Sequence, residues 1–448
     1  MVSVAQALER IKEDPHAAIS PIVAESVCRE LGLEWRETTL TPPVTIALLA
    51  RQVLAGNISN PELVRQEQVQ ATPAAYCTAK GRIPPEVIQE ISQRACDAAE
   101  RAFDQKPEHL WKGHRTWHVD GSSCSMPDTP ELQGHFGQSG NQKPGCGFPV
   151  AHLLCLFSAI TGLIRDVIIS PMRSSDAAVA PQVRDKLKSG DIVIGDTIFS
   201  GYFHMALLWL EGVLMVFPNH QKRIVNFRPH RRFSRAGSKK RRGGEPTSRW
   251  LERLGKDDQL VEYFRPAARP AWMGREEYET IPLSLRVREV RRKVKRKGFR
   301  IQIIMVVTTL LDPVKYPADE IVKLLGQRWG VETSLRHLKT TMGMETLRTQ
   351  TLEGVTRELW AFTLIYNLVR VVMMEAAAAQ EAPLDRISFA DALYWVRHAR
   401  PGEPLPRLLV NPHRPDRIEP RAIKRRPKEY DRLNKPRAEM RKAVGKRR

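Results

Sequence analysis

Short apolar stretches alternate with helical patterns between residues 111 and 218, and this alternation constrains the fold more than any other feature. Residues 150–158 and 163–170 are apolar enough to form strands, and a helical pattern follows at 174–189. Residues 191–196 form a continuous apolar run between two aspartates, which is typical of a short, buried parallel strand. Strands and helices that alternate in this way predict an α/β domain.

The first 107 residues are different because they show only helical periodicity. Apolar residues recur at spacings of three and four, and no alternation of the kind found in strands is present. We therefore expect a small all-helical domain, with helices over residues 2–13, 22–31, 44–55 and 85–103.

One strong apolar helix is predicted near the C-terminus, over residues 357–379. Asn367 and Arg370 interrupt its apolar sequence, so a buried amphipathic helix is a better interpretation than a membrane span. Beyond Arg400 the chain becomes rich in Pro and Arg. That composition predicts a tail that is disordered when free and bound to nucleic acid when engaged.

The charge balance indicates the kind of partner. The 448 residues include 71 Lys and Arg against 50 Asp and Glu, which gives a formal net charge of +21. A polyanion is the expected partner, and nucleic acid fits better than a membrane surface. The N-terminus lacks the pattern of a signal peptide, and the six cysteines include no Cys-x2-Cys pair. We therefore expect a reduced, cytoplasmic protein without a disulfide framework or a zinc site.

Residues 219–300 interrupt the alternation with basic stretches. Lys and Arg are dense over 221–242 and again over 286–300, and Trp250 and Trp272 lie between these two segments. Basic segments that are interleaved with aromatic residues suit phosphate contact combined with base stacking. A disordered basic loop is the alternative interpretation.

Three carboxylates occupy settings that phosphodiester chemistry could use. Asp120 is expected at the end of a short strand that begins at Arg115 and stops at the turn-forming Gly121, Asp196 at the end of a buried strand, and Glu332 on a helix. Two divalent ions about 4 Å apart can activate the attacking oxygen and stabilise the leaving one, and they require carboxylate ligands from several residues. Asp120 alone is weak support, because an aspartate before a glycine is also an ordinary turn signal. A carboxylate that ends a buried run, as Asp196 does, needs a partner.

Residues 326–339 are predicted to form one amphipathic helix with a charged edge. Spacings of four, four and three residues align Arg328, Glu332, Arg336 and Lys339 along that edge. An ordinary surface helix with salt bridges would show the same pattern. The alternative is a helix that holds a metal ion through Glu332 and presses its cations onto phosphates.

These motifs resemble those of bacterial insertion-sequence transposases of the DDE superfamily. Arg328, Glu332 and Lys339 match the Tyr-x2-Arg-x3-Glu-x6-Lys signature of one group, with Leu325 at the tyrosine position. The segment Val119-Asp-Gly-Ser-Ser is similar to the first aspartate motif of that group.

Two further segments extend the resemblance, which spans residues 20–430. Residues 189–196 are similar to the second aspartate motif, although the family often has Arg where Thr197 stands, and residues 306–317 resemble the lead-in to the glutamate helix. The resemblance implies an α/β, RNase H-like catalytic core with a β-rich insertion, a small all-helical domain before it, and a C-terminal helix and basic tail after it. The expected divisions are a DNA-binding domain at 1–107, the core at 111–218 and 301–345, the insertion at 219–300, a helical region at 346–400 and the tail at 401–448.

The activity that the resemblance implies is DNA transposition. Such an enzyme cuts at the terminal inverted repeats of its own element and joins the freed 3′-hydroxyls to target DNA. Two Mg²⁺ or Mn²⁺ ions would be held by Asp120, Asp196 and Glu332. The implied partners are double-stranded DNA and a second copy of the chain in a synaptic complex, in the bacterial cytoplasm at the nucleoid.

The resemblance also implies roles for other residues. Arg328 and Lys339 would clamp phosphates near the cleavage point, with Arg336 as a further DNA contact. Relatives that form a DNA hairpin trap a flipped base with an aromatic residue of the insertion, and Trp250 and Trp272 are the candidates here. Leu325 at the tyrosine position leaves the hairpin route open.

Two other functions remain open. An inactive or domesticated relative would bind DNA without cutting it, and Leu325 and Thr197 are compatible with that. An RNase H-like nuclease would share the three acids but would not join strands. A zinc site near Asp120 is not expected, because His114, His118 and His135 match no ligand spacing and are better interpreted as surface or hydrogen-bonded residues.

Overall fold

A nine-stranded sheet lies at the centre of the protein. The structure, a computed structural model, describes residues 20–104, 110–234, 244–295, 301–345, 347–400, 402–413, 433 and 435–445. The strands are β1 (Thr116–Ser125), β2 (Val150–Ser158), β3 (Ile164–Pro171), β4 (Ile192–Ile194), β5 (Leu214–Pro218), β6 (Arg249–Gly255), β7 (Asp258–Phe264), β8 (Ser284–Val294) and β9 (Gln302–Thr308). They lie in the order β3-β2-β1-β4-β5-β9-β8-β7-β6.

Helices precede the sheet, connect its strands and follow it. The α-helices are α1 (Pro21–Glu30), α2 (Pro42–Leu54), α3 (Asn60–Gln66), α4 (Pro73–Gly81), α5 (Pro85–Asp104), α6 (Pro130–Phe136), α7 (Asp176–Val179), α8 (Tyr202–Leu210), α9 (Arg275–Thr280), α10 (Ala318–Gly326), α11 (Trp329–Arg336), α12 (Leu352–Ala379), α13 (Phe389–His398) and α14 (Arg437–Gly445). Short 3₁₀ turns cover Ala180–Lys186, Thr197–Ser200 and Leu384–Arg386, and a π-helical turn covers His337–Thr341.

The strand directions confirm the predicted mixed α/β class. β4 is parallel to both β1 and β5, and the crossover connections between these strands carry helices. The other neighbouring strands are antiparallel.

The predicted end of β1 is wrong. Asp120 lies in the middle of the strand, opposite Cys155 of β2, and β1 continues to Ser125. Gly121 does not turn the chain, because it pairs with Leu154 within the same ladder. Antiparallel pairing with β2 carries the strand past the point where its parallel pairing with β4 stops, which is at His118.

The sheet has two covered faces, and side chains along β1 alternate between them. Val119 packs into a core that includes Met205 of α8. Cys124 and Cys155 belong to a different core, which includes residues of α5 and α12. Asp120 is an even-numbered residue like Cys124, and it therefore lies on the face that α5 and α12 cover.

The N-terminal helices are built from repeated start signals. Ser20, Ser59 and Thr72 each cap a helix with a side-chain oxygen, and a proline follows each cap within two residues. Three of the predicted helices are present as α1, α2 and α5, whereas α4 was not predicted. The predicted helix at 2–13 lies outside the described residues. The guanidinium of Arg357 in α12 donates to the carbonyl of Ile83 at 2.6 Å, which fastens these helices to the rest of the protein.

The basic insertion is part of the same sheet. β8 pairs with β9 from Arg288↔Thr308 to Val294↔Gln302, and β7 and β6 continue the sheet outward. A disordered loop is therefore wrong for residues 244–295, whereas the basic residues at 235–242 lie outside the described ones.

The segment 125–147 is rich in Gly and Pro, as extended loops are, but it is not a continuous loop. It contains α6, which begins at Pro130 after the cap residue Thr129 and ends before Gly137 at φ +72°. Leu132 and Phe136 of this helix are fully buried. Their apolar packing stabilises a helix that the composition of the segment does not predict.

The single helix predicted over 326–339 is broken. α10 ends at Gly326, Gln327 and Arg328 form a turn, and α11 runs only from Trp329 to Arg336. The π-helical turn that follows shifts Lys339 out of the straight row that a continuous helix would give.

α12 confirms the predicted C-terminal core helix. It is long and apolar enough to cross a membrane, with a mean hydropathy of 1.4 in its best window, but 78% of that window is buried inside the protein. A core helix has the same composition. Most of the tail that was predicted to be disordered, residues 414–432, lies outside the described residues. Residues 437–445 form α14.

Candidate active site

Asp120 is a half-buried carboxylate in the middle of the sheet. Its Oδ1 accepts a hydrogen bond from the Gly121 N–H at 3.0 Å. Burial raises the pKa of the Asp120 carboxyl, and the negative charges of Asp196 and Glu332 raise it further, against the opposing effect of Arg328. Asp196 and Glu332 therefore lie near enough to act on the Asp120 carboxyl, although the three acids come from distant parts of the chain.

Asp196 follows β4 and caps the 3₁₀ turn Thr197–Ser200. Its Oδ1 accepts from the Ile198 N–H at 2.8 Å. The residue before it must be glycine, because a Cβ on Gly195 would lie 2.6 Å from a ring carbon of Phe199. This close approach fixes the backbone at the point where the strand ends. The other carboxylate oxygen of Asp196 makes no hydrogen bond among the described residues.

Glu332 comes from α11, and 49% of its side chain is exposed. Its Oε1 lies 3.6 Å from Nη2 of Arg328, and Nη1 of the same guanidinium lies 3.8 Å from Oδ2 of Asp120. Arg328 thus lies between two of the three acids. It can do so because the break between α10 and α11 places it ahead of the helix that carries Glu332.

The other two cations of the predicted charged edge lie in different environments. Lys339 is half-buried, and its charge acts on the thiol of Cys124 in β1, although burial still raises the pKa of that thiol to about 12. Lys339 therefore lies alongside β1 on the face of Asp120. Arg336 is exposed to solvent.

The two candidate tryptophans are not brought to the acids. Trp272 stacks on His204 of α8, with ring centroids 4.9 Å apart, and packs against the core on the opposite face of the sheet from Asp120. Trp250 lies on β6, the edge strand, six positions from β1 in the sheet, and its ring is 4.4 Å from that of His230. At about 4.8 Å between neighbouring strands, β6 with Trp250 lies nearly 30 Å from β1 with Asp120.

Two polar residues near the acids were missed by sequence reasoning. His118 is buried rather than at the surface, and its Nε2 has no hydrogen-bond partner in the described part of the chain. Burial, together with the smaller effect of the Arg328 charge, lowers the pKa of His118 to about 4, so the ring is neutral at pH 7. The alternation of β1 was the available signal, because it puts His118 and Asp120 on one face. The second residue, Asn219, follows β5, and its buried side-chain amide makes no hydrogen bond within the described residues.

The donor set suits a hard divalent cation, because all three acids supply oxygen. As the side chains are placed, however, no group of three His, Cys, Asp or Glu residues within the described ranges is close enough to hold an ion. The guanidinium of Arg328 lies where two of the carboxylates would have to converge.

The family model for transposase DDE domains matches residues 111–368. The chain belongs to the DDE transposase family. It is a DNA transposase, and enzymes with this domain use divalent metal ions. The matched segment includes Asp120, Asp196 and Glu332, and also the insertion and most of α12.

Two curated proteins of Escherichia coli K12 agree with this assignment. The chain is 25% identical over 382 residues to the transposase InsG of insertion sequence element IS4, a match that covers 80% of this chain and 78% of InsG. It is 21% identical over 203 residues to the putative transposase InsZ, covering 41% of this chain and 67% of InsZ.

A solved structure is also similar, though distantly. The piggyBac transposase in a synaptic complex with hairpin DNA matches 89% of this chain and 80% of its own, with 10% identity and a TM-score of 0.43. This similarity is too low to support conclusions about the site.

Proposed function

We propose that this transposase cuts DNA at the terminal inverted repeats of its own element and joins the 3′-hydroxyl ends to target DNA, with Asp120, Asp196 and Glu332 as its metal ligands. The observation that carries the proposal is the position of the Arg328 guanidinium between the carboxylates of Asp120 and Glu332, with Asp196 near enough to raise the pKa of Asp120. Mg²⁺ or Mn²⁺ fits the oxygen-only donor set, and two ions would match the general scheme for phosphodiester cleavage.

The reaction has two steps that are alike in chemistry. In the first, a water oxygen attacks phosphorus, the P–O3′ bond breaks and a 3′-hydroxyl is released. In the second, that 3′-oxygen attacks a phosphorus of the target, forms a new phosphodiester and displaces the target's 3′-oxygen. Bound divalent ions supply activation of the attacking oxygen and neutralisation of the leaving one. Asp120, Asp196 and Glu332 would hold these ions, and their places on β1, after β4 and on α11 would determine where the reacting phosphate binds.

Arg328 would contact the scissile phosphate, because its planar guanidinium can donate two parallel hydrogen bonds. Lys339 would add a point charge along β1, and Arg336 would contact the DNA backbone from the exposed side of α11. Trp250 and Trp272 are too far from the acids to trap a base beside the cleavage point in this arrangement.

The wider organisation follows the family. We propose an RNase H-like core over 111–218 and 301–345 with 219–300 as its insertion, a domain over 1–107 that binds the inverted repeats, and 346–400 and 401–448 as regions that support pairing of two subunits and DNA contact. The partner would be double-stranded DNA, at the nucleoid of a bacterial cytoplasm.

The test is cleavage of a labelled duplex that carries the element's own ends, by wild type and by Glu332→Ala, with and without Mg²⁺. We expect metal-dependent nicking at the end that disappears in the variant, and normal cleavage by a control, Glu276→Ala, at an exposed glutamate of α9. Binding without cutting in Mg²⁺ and in Mn²⁺ would instead identify a DNA-binding remnant. A hairpin product would establish the route of second-strand cleavage.

A further inference from the structure

The C-terminal helix α14 is attached to the loop that connects β1 to β2. Its first residue, Arg437, donates its backbone N–H to the Gly145 carbonyl at 3.1 Å. Gly145 has φ +76°, and a Cβ at this position would lie 3.0 Å from Cβ of Pro436. The loop therefore approaches the residue before α14 as closely as a glycine allows.

The side chain of Arg437 is held by four residues of this loop. Its Nη1 donates to the carbonyls of Cys146 and Gly147, at 2.6 and 3.1 Å. Its Nε lies 3.2 Å from Oδ2 of Asp128, and its guanidinium carbon lies 4.3 Å from the centroid of the Phe148 ring. We call these four residues the arginine receptor. A carboxylate, carbonyls and an aromatic face together match the planar fork of a guanidinium, which a lysine ammonium lacks.

The receptor is also held together by bonds that do not involve α14. The side-chain oxygen of Gln138 accepts from the N–H groups of Gly145 and Gly147, at 2.9 and 3.1 Å. The Gln133 amide donates to the Gly147 carbonyl and to Oδ1 of Asp128, both at 2.8 Å. These bonds fix the loop and orient the carboxylate, so the receptor is a built site for one arginine.

Only the start of α14 is used for this attachment. Residues 438–443 are exposed to solvent, and none of them hydrogen-bonds to the loop or to any other described element. Lys435, Arg441 and Lys442 are also exposed, and none of the three makes a salt bridge within the described residues, where Glu439 is the one acid of the helix. A cationic segment that is held at one end and otherwise open suits the phosphate backbone of DNA.

The receptor lies at the same edge of the sheet as the candidate acids. β1 is parallel to β4, and Asp196 follows the C-terminal end of β4. β1 continues past Asp120 to Ser125, a further distance of about 17 Å at 3.4 Å per residue. The next residue, Met126, then donates to the Pro149 carbonyl beside the receptor. α14 is therefore attached roughly 20 Å from Asp120, a distance that about six base pairs of DNA span.

We infer that α14 contacts the DNA backbone at a position that Arg437 fixes. Arg437 is the anchor, and Lys435, Arg441 and Lys442 contact phosphates about six base pairs from the scissile phosphate. The inference rests on the proposed function, because it places the scissile phosphate at the three candidate acids. Contacts of this kind determine where the duplex lies on the protein without reading its sequence.

The experiment maps where α14 lies on bound DNA. An iron chelate that cuts nearby strands is attached at Met440→Cys, an exposed position of α14, after Cys77 and Cys146 have been changed to Ser. The other four cysteines are buried. The duplex carries the element's own end, and free divalent ions are omitted so that the protein itself does not cut. The cuts should cluster within a few base pairs, about six base pairs from the end.

Two variants of this labelled protein release the anchor from opposite sides. Arg437→Met removes the guanidinium, and Asp128→Asn removes the carboxylate of the receptor. In both, cutting at the central position should fall by about tenfold and spread along the duplex, because a charge-assisted contact is lost. Arg407→Met, at an exposed arginine outside α14, is the matched control and should keep the focused pattern.

A stability measurement separates this role from a general loss of structure. Arg437→Met should unfold at nearly the same denaturant concentration as the parent protein, because the rest of α14 is exposed. A focused pattern in Arg437→Met, or a spread pattern in the parent protein, would overturn the inference.

A salt titration of binding tests the contact residues. The double variant Arg441→Gln and Lys442→Gln should reduce the slope of log affinity against log salt concentration by about 1.8, which is 0.9 for each phosphate contact. An unchanged slope would show that α14 does not contact the backbone.

The two proposals fail in different ways. Metal-dependent cleavage that Glu332→Ala abolishes, together with a cutting pattern that does not depend on Arg437, would refute only the role of α14. A focused pattern that depends on Arg437, without any cleavage in Mg²⁺ or Mn²⁺, would refute only the catalytic proposal.

Discussion

The buried acids of the insertion are held differently from Asp120, the half-buried candidate acid of β1. In the insertion, Asp258 accepts from Nε and Nη2 of Arg288 at 2.8 and 2.5 Å. Glu289 accepts from the Tyr263 hydroxyl and the Gln259 amide, both at 2.7 Å. Asp120 accepts only from its neighbour Gly121 among the described residues, and its nearest cation lies 3.8 Å away.

The number of hydrogen bonds that a buried carboxylate accepts therefore helps to distinguish an acid that stabilises the fold from one that binds a ligand. A buried carboxylate that lacks hydrogen bonds lowers stability, so a protein retains one only where a ligand completes it. The insertion uses its acids to join strands β7 and β8. Asp120 instead keeps one carboxylate oxygen without a hydrogen bond among the described residues.

The largest expected effect is on activity, from Asp120→Asn. Loss of one ligand should reduce metal-dependent cleavage by about a thousandfold, which corresponds to several kcal/mol of transition-state stabilisation. Stability should rise at neutral pH. Because the pKa of Asp120 is raised in the folded protein, its charge is unfavourable there, and this destabilisation disappears as pH falls through the folded pKa. A lower unfolding midpoint at pH 7 would contradict the comparison.

The next effect is on stability, from Arg288→Met. Removal of the cation leaves Asp258 buried and unpaired, which should reduce the free energy of unfolding by about 3–5 kcal/mol. Denaturant unfolding measures this change. The double variant with Asp258→Leu should recover much of the loss, because no unpaired charge remains. Equal losses in the single and double variants would show that the pair does not act as a unit.

A smaller effect is expected on metal affinity, from Arg328→Gln. The guanidinium lies near two of the candidate ligands, so its charge competes with a divalent cation. Its removal should tighten Mn²⁺ binding without DNA by roughly fivefold, as expected for partly exposed ion pairs worth about 1 kcal/mol together. Titration calorimetry with Mn²⁺ measures this, and Arg336→Gln on the exposed side of α11 is the control. Weaker binding in Arg328→Gln would mean that Arg328 organises the ligands instead.

A last prediction concerns the pH dependence of stability at the stacked pair of His204 and Trp272, where the insertion meets the core around α8. Burial lowers the pKa of His204 to about 4. The unfolded chain therefore takes up a proton near pH 6.5 before the folded protein does, and stability falls from that pH down to about 4. His204→Gln should unfold with a shallower pH dependence over this range than wild type, whereas His413→Gln at an exposed position should not. Identical slopes for wild type and His204→Gln would remove His204 as the cause.

Much of the fold could be predicted because local patterns and tertiary packing agree. The apolar runs at β2, β3, β4 and β5 and the long helix α12 are each specified by their own composition. The three acids could be singled out because their settings and their order along the chain are unusual together.

The remaining features depend on contacts between distant residues, which no single stretch specifies. The break at Gln327 and Arg328 contains no proline, and α6 forms because Leu132 and Phe136 find a core. The face on which Trp272 packs depends on how the insertion joins the sheet. The isolation of Asn219 depends on the point at which β5 and β9 diverge, and pattern analysis of either strand alone does not locate it.

The continuous sheet has a consequence for solubility. β8 covers β9 over seven residue pairs, so β9 is an interior strand only because the insertion is present. A version of the chain without β6, β7 and β8 would expose the backbone of β9 beside Ile303, which is already exposed, and an uncovered apolar edge of this kind promotes association between copies. The insertion therefore protects the protein from aggregation, and it could be shortened at the tip beyond β7 more safely than at its root beside β9.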